Sequence, residues 1–272
     1  MQQTSRPLAL VTGASSGIGC TFAERLARDG YDLILVARRK DRPAELARQL
    51  EKNGAKVEVL VADLSKPDGL ATVERRAGGG DVTMLVNNAG FQNYKPFVEL
   101  GPDAAEDQIR VQVTAVLRLS RAVLPAMLAR GSGAIVNVSS MLAFSAGVDK
   151  SFMPKRATYA ATKAFVNVFT ELLASEVAGS GVKVQALCPG VVRTEFHDVD
   201  GKPASVRPNV PVMEPQDVVE ASLAALALGD VICSPSLTDR GLIEREGDGR
   251  QTLFDASRGA ELAPRYAAKR AT

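Results

Sequence analysis

Six short runs rich in Leu, Val and Ile set the first constraint on this chain: "PLALVT", "DLILVA", "KVEVLVA", "VTMLVN", "GAIVNVS" and "VKVQALC". They are largely apolar on both faces, so strands built from them must be covered above and below. Helical patterns lie between them near 17–29, 41–53, 108–130 and 157–178, with a weaker one around 68–77. Such alternation predicts an α/β fold, a doubly wound parallel sheet of Rossmann type in three α/β/α layers. At 272 residues the chain matches one such domain, expected to span 1–272, with a substrate loop around 194–215 and a C-terminal tail at 234–272.

Charge and composition exclude several classes of function. Lys and Arg number 33 against 31 Asp and Glu, and a net charge of +2 leaves no electrostatic footprint for nucleic acid. Cys20, Cys188 and Cys233 are far apart, have no metal-ligand spacing and read as reduced and buried. The single histidine, His197, next to the polar "HDVDGK", reads as a surface residue, so no metal site is expected. No signal-peptide core begins the chain, and no apolar run approaches the ~18 residues of a membrane span. A cytoplasmic protein without nucleic-acid or membrane partners is the expectation.

In a parallel sheet the carboxyl ends of the strands share one edge, where ligands bind. "LVTGASSGIG" places Gly13, Gly17 and Gly19 between the first strand and the first helix. Glycines there permit a tight turn and close approach to a pyrophosphate, whose charge the helix N-terminus favours. The second strand ends in Ala37, Arg38 and Arg39, where an NAD-selective site would present an acid to the ribose 2′-hydroxyl. Arginine suits a 2′-phosphate, which favours NADP(H). Asp63 in "VADLS", Asn87 to Gly90 in "NNAG" and Asn137 to Ser140 in "NVSS" fall at other strand ends. After Thr194 the pattern breaks into a proline-containing stretch, Asp198 to Pro215, of the kind that forms binding loops. "PQDVVEASLAALAL" then returns to helix.

In "TYAATKAFVNVF", Tyr159 and Lys163 stand one turn apart on one helical face and can act on one object. With "TGASSGIG", "AD" at 62–63, "NNAG", "NVSS", "YAATK" and "PGVVRTEF" in order from Leu8 to about Leu228, the chain resembles the short-chain dehydrogenase/reductase family, of the NADP-preferring Tyr-x-x-x-Lys type. The resemblance implies an oxidoreductase that interconverts a small-molecule ketone or aldehyde with an alcohol. Tyr159 would move the proton, Lys163 would favour its phenolate and bind the nicotinamide ribose, and Ser140 would hold the substrate oxygen, with Ser139 the competing choice. Working near neutral pH then asks for about 3–4 kcal/mol of preferential phenolate stabilisation. Cofactor binding would fall to Gly13, Ser15, Ser16, Gly17, Ile18 and Gly19 at the turn and to Arg38 and Arg39. It would continue through Asp63 by the adenine, Asn88, Ala89 and Gly90 by the ribose, and Pro189, Gly190, Val192 and Thr194 by the nicotinamide. A homo-oligomer, dimer or tetramer, also follows from the resemblance.

The chain departs from the family in three places. Gln112 stands where the family places an asparagine that holds a water of the proton relay. "MLAFSAGVDKSFMPKRAT" between Ser140 and Tyr159 is longer than usual, and its Lys150, Lys155 and Arg156 could meet an acidic handle such as a coenzyme A thioester or simply be solvated. "DVICSPSLTDRGL" replaces the usual short strand before the C-terminus. Phe91, Tyr94, Phe97, Met141, Phe144, Phe196 and Met213 are expected around the substrate and suggest a hydrophobic one. Two other readings stay open: an NADP-binding regulatory or scaffold protein without turnover, and a sugar-nucleotide epimerase or dehydratase, which the short chain and the glycine spacing disfavour.

Overall fold

The computed structural model describes residues 6–148, 153–197 and 211–266. A seven-stranded parallel sheet runs in the order β3–β2–β1–β4–β5–β6–β9. Its strands are β1 (Leu8–Thr12), β2 (Asp32–Ala37), β3 (Val57–Val61), β4 (Val82–Asn87), β5 (Gly133–Val138), β6 (Val182–Leu187) and β9 (Ile232–Cys233). Side chains alternate along each strand and feed two cores. Ala9, Val11, Leu33 and Leu35 pack with α1 (Gly17–Arg28), α2 (Asp41–Lys52) and α7 (Pro215–Leu228). Leu10, Ile34, Leu85 and Ile135 pack with α3 (Pro67–Ala77), α5 (Ala115–Arg130) and the end of α6 (Ala157–Glu176). Chain order reverses between β1 and β4, so their carboxyl ends flank the crevice in which such sheets bind ligands.

Several elements differ from the sequence expectation. The helix expected from 108 starts earlier: α4 (Pro102–Ile109) joins α5 through a widened turn at Arg110–Thr114. Taken together, Pro102–Arg130 is long and apolar enough by composition to cross a membrane, which the sequence reading overlooked. Val111, Ala115, Leu119, Val123 and Met127 are instead buried in the protein core. The short last strand is present after all. Ile232 and Cys233 pair with Ala186 and Leu187, too brief a run to leave a sequence pattern. A second, two-residue parallel pair, β7 (Val191–Val192) with β8 (Val212–Met213), closes the base of the loop after β6. Most of that loop, and Lys150, lie outside the described residues. Cys188 and Cys233 are buried, whereas Cys20 is half-buried, and all three are free thiols.

By its contacts the chain divides into a compact unit ending at Ser236 and a second unit starting at Leu237. The second unit holds α8 (Gly241–Ala256), which has no buried residue. Its Gly247 and Gly249 disguise it, since glycine disfavours helix by about 1 kcal/mol each; the Arg250–Glu246 pair at 2.9 Å supports it. Beyond α8 the described residues hold a single further turn, Pro264–Tyr266.

Arg156 is not a solvated charge. Its Nε donates to Ser145 Oγ at 2.9 Å, and its remaining nitrogens donate to the carbonyls of Pro154, Ser145 and Val148. The guanidinium thus clasps the two ends of the insertion, while Lys155 is exposed. Hydrogen bonds from a charged donor contribute about 1.5–3 kcal/mol. Arg156→Ala should therefore speed limited proteolysis within 145–156 about tenfold, and Lys155→Ala should not.

Candidate active site

Along the carboxyl edge of the sheet lies a cleft of about 540 Å³. Its floor is the turn from β1 into α1. Gly13 and Gly17 take left-handed conformations there, with φ of 67° and 55°. Gly19 sits below the surface: a Cβ on it would lie 2.4 Å from both Gly13 O and Asn88 Nδ2. Ser15, Ser16 and Ile18 line the cleft beside the helix N-terminus. Asn88 braces the turn, its amide donating to Thr12 O at 2.9 Å and Gly13 O at 3.2 Å. Thr12 Oγ1 accepts from the backbone N–H groups of Asn88 and Ala89. Ala89 and Gly90 continue the wall, and Pro189, Gly190, Val192 and Thr194 face them from the segment after β6.

One end of the cleft is charged. Arg38 and Arg39 follow β2, and Asp63 and Lys66 follow β3. Asp63 Oδ1 accepts from Ser65 N at 2.9 Å. Partial burial opposes its ionisation, but the Ser65 hydrogen bonds and the charges of Arg38 and Lys66 prevail and hold the carboxyl below its ordinary range. The glycine turn, the helix N-terminus and this arginine pair fit a dinucleotide carrying an extra phosphate.

The other end is apolar and holds the titratable pair. Tyr159 and Lys163 are 4% and 5% exposed, which decides their proton affinities. Burial pushes the Tyr159 phenol well above its usual range; the neighbouring Tyr94 adds to this, and a hydrogen bond with Ser140 opposes it. The expected lowering of the phenol is thus absent in this chain by itself. Burial also pushes the Lys163 ammonium down to about 8. Lys163 Nζ donates to Val138 O at 2.8 Å and stands 5.6 Å from the Tyr159 ring centre. Of the two serines, Ser140 reaches the phenol, whereas Ser139 Oγ donates to Lys163 O at 3.0 Å and anchors α6 to β5.

Gln112 occupies the widened turn between α4 and α5. Its amide nitrogen donates to Phe91 O, and its oxygen accepts from Thr162 Oγ1 at 2.8 Å. The extra methylene thus lets it bridge two protein groups.

Of the apolar residues expected around the substrate, Phe91, Tyr94, Met141 and Phe196 line the cleft. Phe97 and Phe144 are exposed, and Met213 turns into the core beside α7. Leu142, Met153 and Pro154, overlooked in the sequence, contribute instead. The rings of Tyr94 and Phe196 flank Tyr159 at 5.5 and 6.0 Å. Glu195 was also overlooked. It lines the cleft and accepts from Arg42 at 2.6 Å, a pairing across 153 positions that no local pattern announces.

Residues 7–203 match the family model described as short chain dehydrogenase. A short-chain dehydrogenase from Sphingobium yanoikuyae, solved in complex with NADPH, is 38% identical and superposes with a TM-score of 0.87 over 96% of this chain and all of its own. The bulky-bulky ketone specific alcohol dehydrogenase from Comamonas testosteroni is 33% identical, with a TM-score of 0.86 over 97% of this chain and all of its own. Very-long-chain 3-oxoacyl-CoA reductase-A of Danio rerio is 33% identical over 82% of this chain and 67% of its own. With its parallel sheet, its glycine turn and this extent of similarity, the chain belongs to the short-chain dehydrogenase/reductase family of oxidoreductases.

Proposed function

We propose that the chain is an NADP(H)-dependent oxidoreductase that interconverts a hydrophobic ketone or aldehyde with its alcohol, with Tyr159 as acid and base. One observation carries this reading. The Tyr159 phenol, bonded to Ser140 and backed by Lys163, lies at the apolar end of a cleft whose far end presents Arg38 and Arg39. The NADPH-bound and ketone-specific relatives support the choices of cofactor and substrate. A scaffold without turnover would have no use for the buried Lys163 or the Ser140–Tyr159 bond. We place the enzyme in the cytoplasm as a dimer or tetramer, an association for which the exposed Val168 and Leu172 on α6 offer apolar surface.

The nicotinamide, when bound, supplies or accepts the hydride. Everything else falls to this chain. Ser140 and Tyr159 hydroxyls converge on the carbonyl oxygen and hold it. The rings of Tyr94 and Phe196 shield the phenol from water, which strengthens those hydrogen bonds. In reduction, Tyr159 gives its phenolic proton to the developing alkoxide, and its raised pKa keeps that proton in place across neutral pH. In oxidation the phenol must first lose it. Lys163 then places its positive charge 5.6 Å from the ring that carries the phenolate.

Three outcomes are expected. Tyr159→Phe should lower ketone-dependent NADPH oxidation by about 10²–10⁴-fold while NADPH still binds, as followed by its fluorescence; unchanged turnover would remove Tyr159 from the mechanism. Arg38→Ala should weaken NADPH binding about 10- to 100-fold and leave NADH binding nearly unaltered. For pH, Lys163 is a cation below its pKa of about 8 and neutral above it. The kcat/KM for NADPH, which reports groups of the cofactor-free enzyme, should be level below that pH and fall above it.

A further inference from the structure

Thr194, Glu195 and Phe196 are consecutive, yet each meets a different part of the cleft. Thr194 packs on the phosphate turn, so that a Cβ on Gly17 would lie 2.8 Å from its Cγ2. Glu195 reaches outward to the first turn of α2, where Arg42 Nη1 donates to its Oε2 at 2.6 Å. Phe196 turns inward, 6.0 Å from the Tyr159 ring. Below them the segment is tied down by Arg193, whose N–H donates to Met213 O and whose Nε donates to Glu214 at 2.7 Å. Above them, the Arg42–Glu195 pair links this short turn, Glu195–His197, to α2.

The pair also shapes the charge at the arginine-rich lip. Arg39 lies close enough to act on Glu195 electrostatically, and Arg42 with Arg39 holds the carboxyl ionised. Glu195 is therefore a negative charge on the side of the cleft where a 2′-phosphate would arrive. Without Arg42 it would repel that phosphate. With Arg42 it is largely neutralised and serves as a tether.

We propose that Glu195 is a positioning residue: its ion pair with Arg42 fixes Phe196 over Tyr159, and its carboxylate sets how strongly the adjoining arginines attract a phosphorylated cofactor. The inference rests on the reading of the cleft as an NADPH-dependent carbonyl reductase. One substitution then has opposite effects at the two ends of the cleft. Glu195→Gln frees the Phe196 segment but removes negative charge beside Arg39. Arg42→Ala frees the same segment but leaves Glu195 uncompensated.

The test compares Glu195→Gln, Arg42→Ala and the double variant. Exposed ion pairs contribute about 0.2–1 kcal/mol, so amide hydrogen exchange in 191–197 should speed up by up to about fivefold in each single variant and no further in the double. The KM for a hydrophobic ketone should rise by a similar factor, with a smaller change in kcat. NADPH, titrated by its fluorescence, should bind more tightly to Glu195→Gln and more weakly to Arg42→Ala. Unchanged exchange in both single variants, additive exchange in the double, or NADPH shifts of the same sign would overturn the proposal. The exchange measurement needs no turnover, so an unaltered chain that reduces no ketone would count against the reductase reading alone.

Discussion

A buried polar ladder beneath the cleft holds the rest in register. Asn87 on β4 donates to Asn137 on β5 at 2.9 Å and to Ser120 on α5, and Asn137 donates to Thr170 on α6 at 3.0 Å. All four side chains are at most 4% exposed. Leaving any one of them unpaired would cost about 1–3 kcal/mol, so the two strands and two helices must meet in this arrangement. Tyr159 and Lys163 stand on the same helix as Thr170. The geometry of the titratable pair is thus set by hydrogen bonds up to three turns away, among side chains that do not line the cleft.

Burial is the second constraint, and it acts on the chemistry directly. The surroundings that exclude water from Tyr159 also raise its pKa and lower that of Lys163. Desolvation disfavours the charged form of both groups, which are of opposite sign. A positive lysine one turn away does not offset full burial of the phenol. The chain by itself therefore keeps Tyr159 as a neutral phenol.

Much of this was legible in the sequence because strand runs and glycine turns are local. The six expected strands appear where the apolar runs stand, and the residues of "TGASSGIG", "NNAG", "NVSS" and "YAATK" converge on one edge because parallel strands end there. What escaped depends on distant partners. Arg156 reads as an ordinary loop cation until Ser145 and Val148 fold back around it. Glu195 is paired from α2, and the strands β7, β8 and β9 exist only through what lies beside them. Phe97 and Phe144 were misplaced for a related reason: sequence locates a segment at the cleft but not which way each side chain of a short turn points.

The β7–β8 pair has a consequence for how such a chain can change. Two backbone-paired residues on each side, and the Arg193–Glu214 bridge, pin both ends of the loop that follows Thr194. Because closure is enforced at the base, the entropic cost of joining those ends grows only slowly with what is inserted between them. Changes of sequence or length between those two ends can therefore accumulate at little cost in stability, while the sheet and the glycine turn beneath them stay as they are.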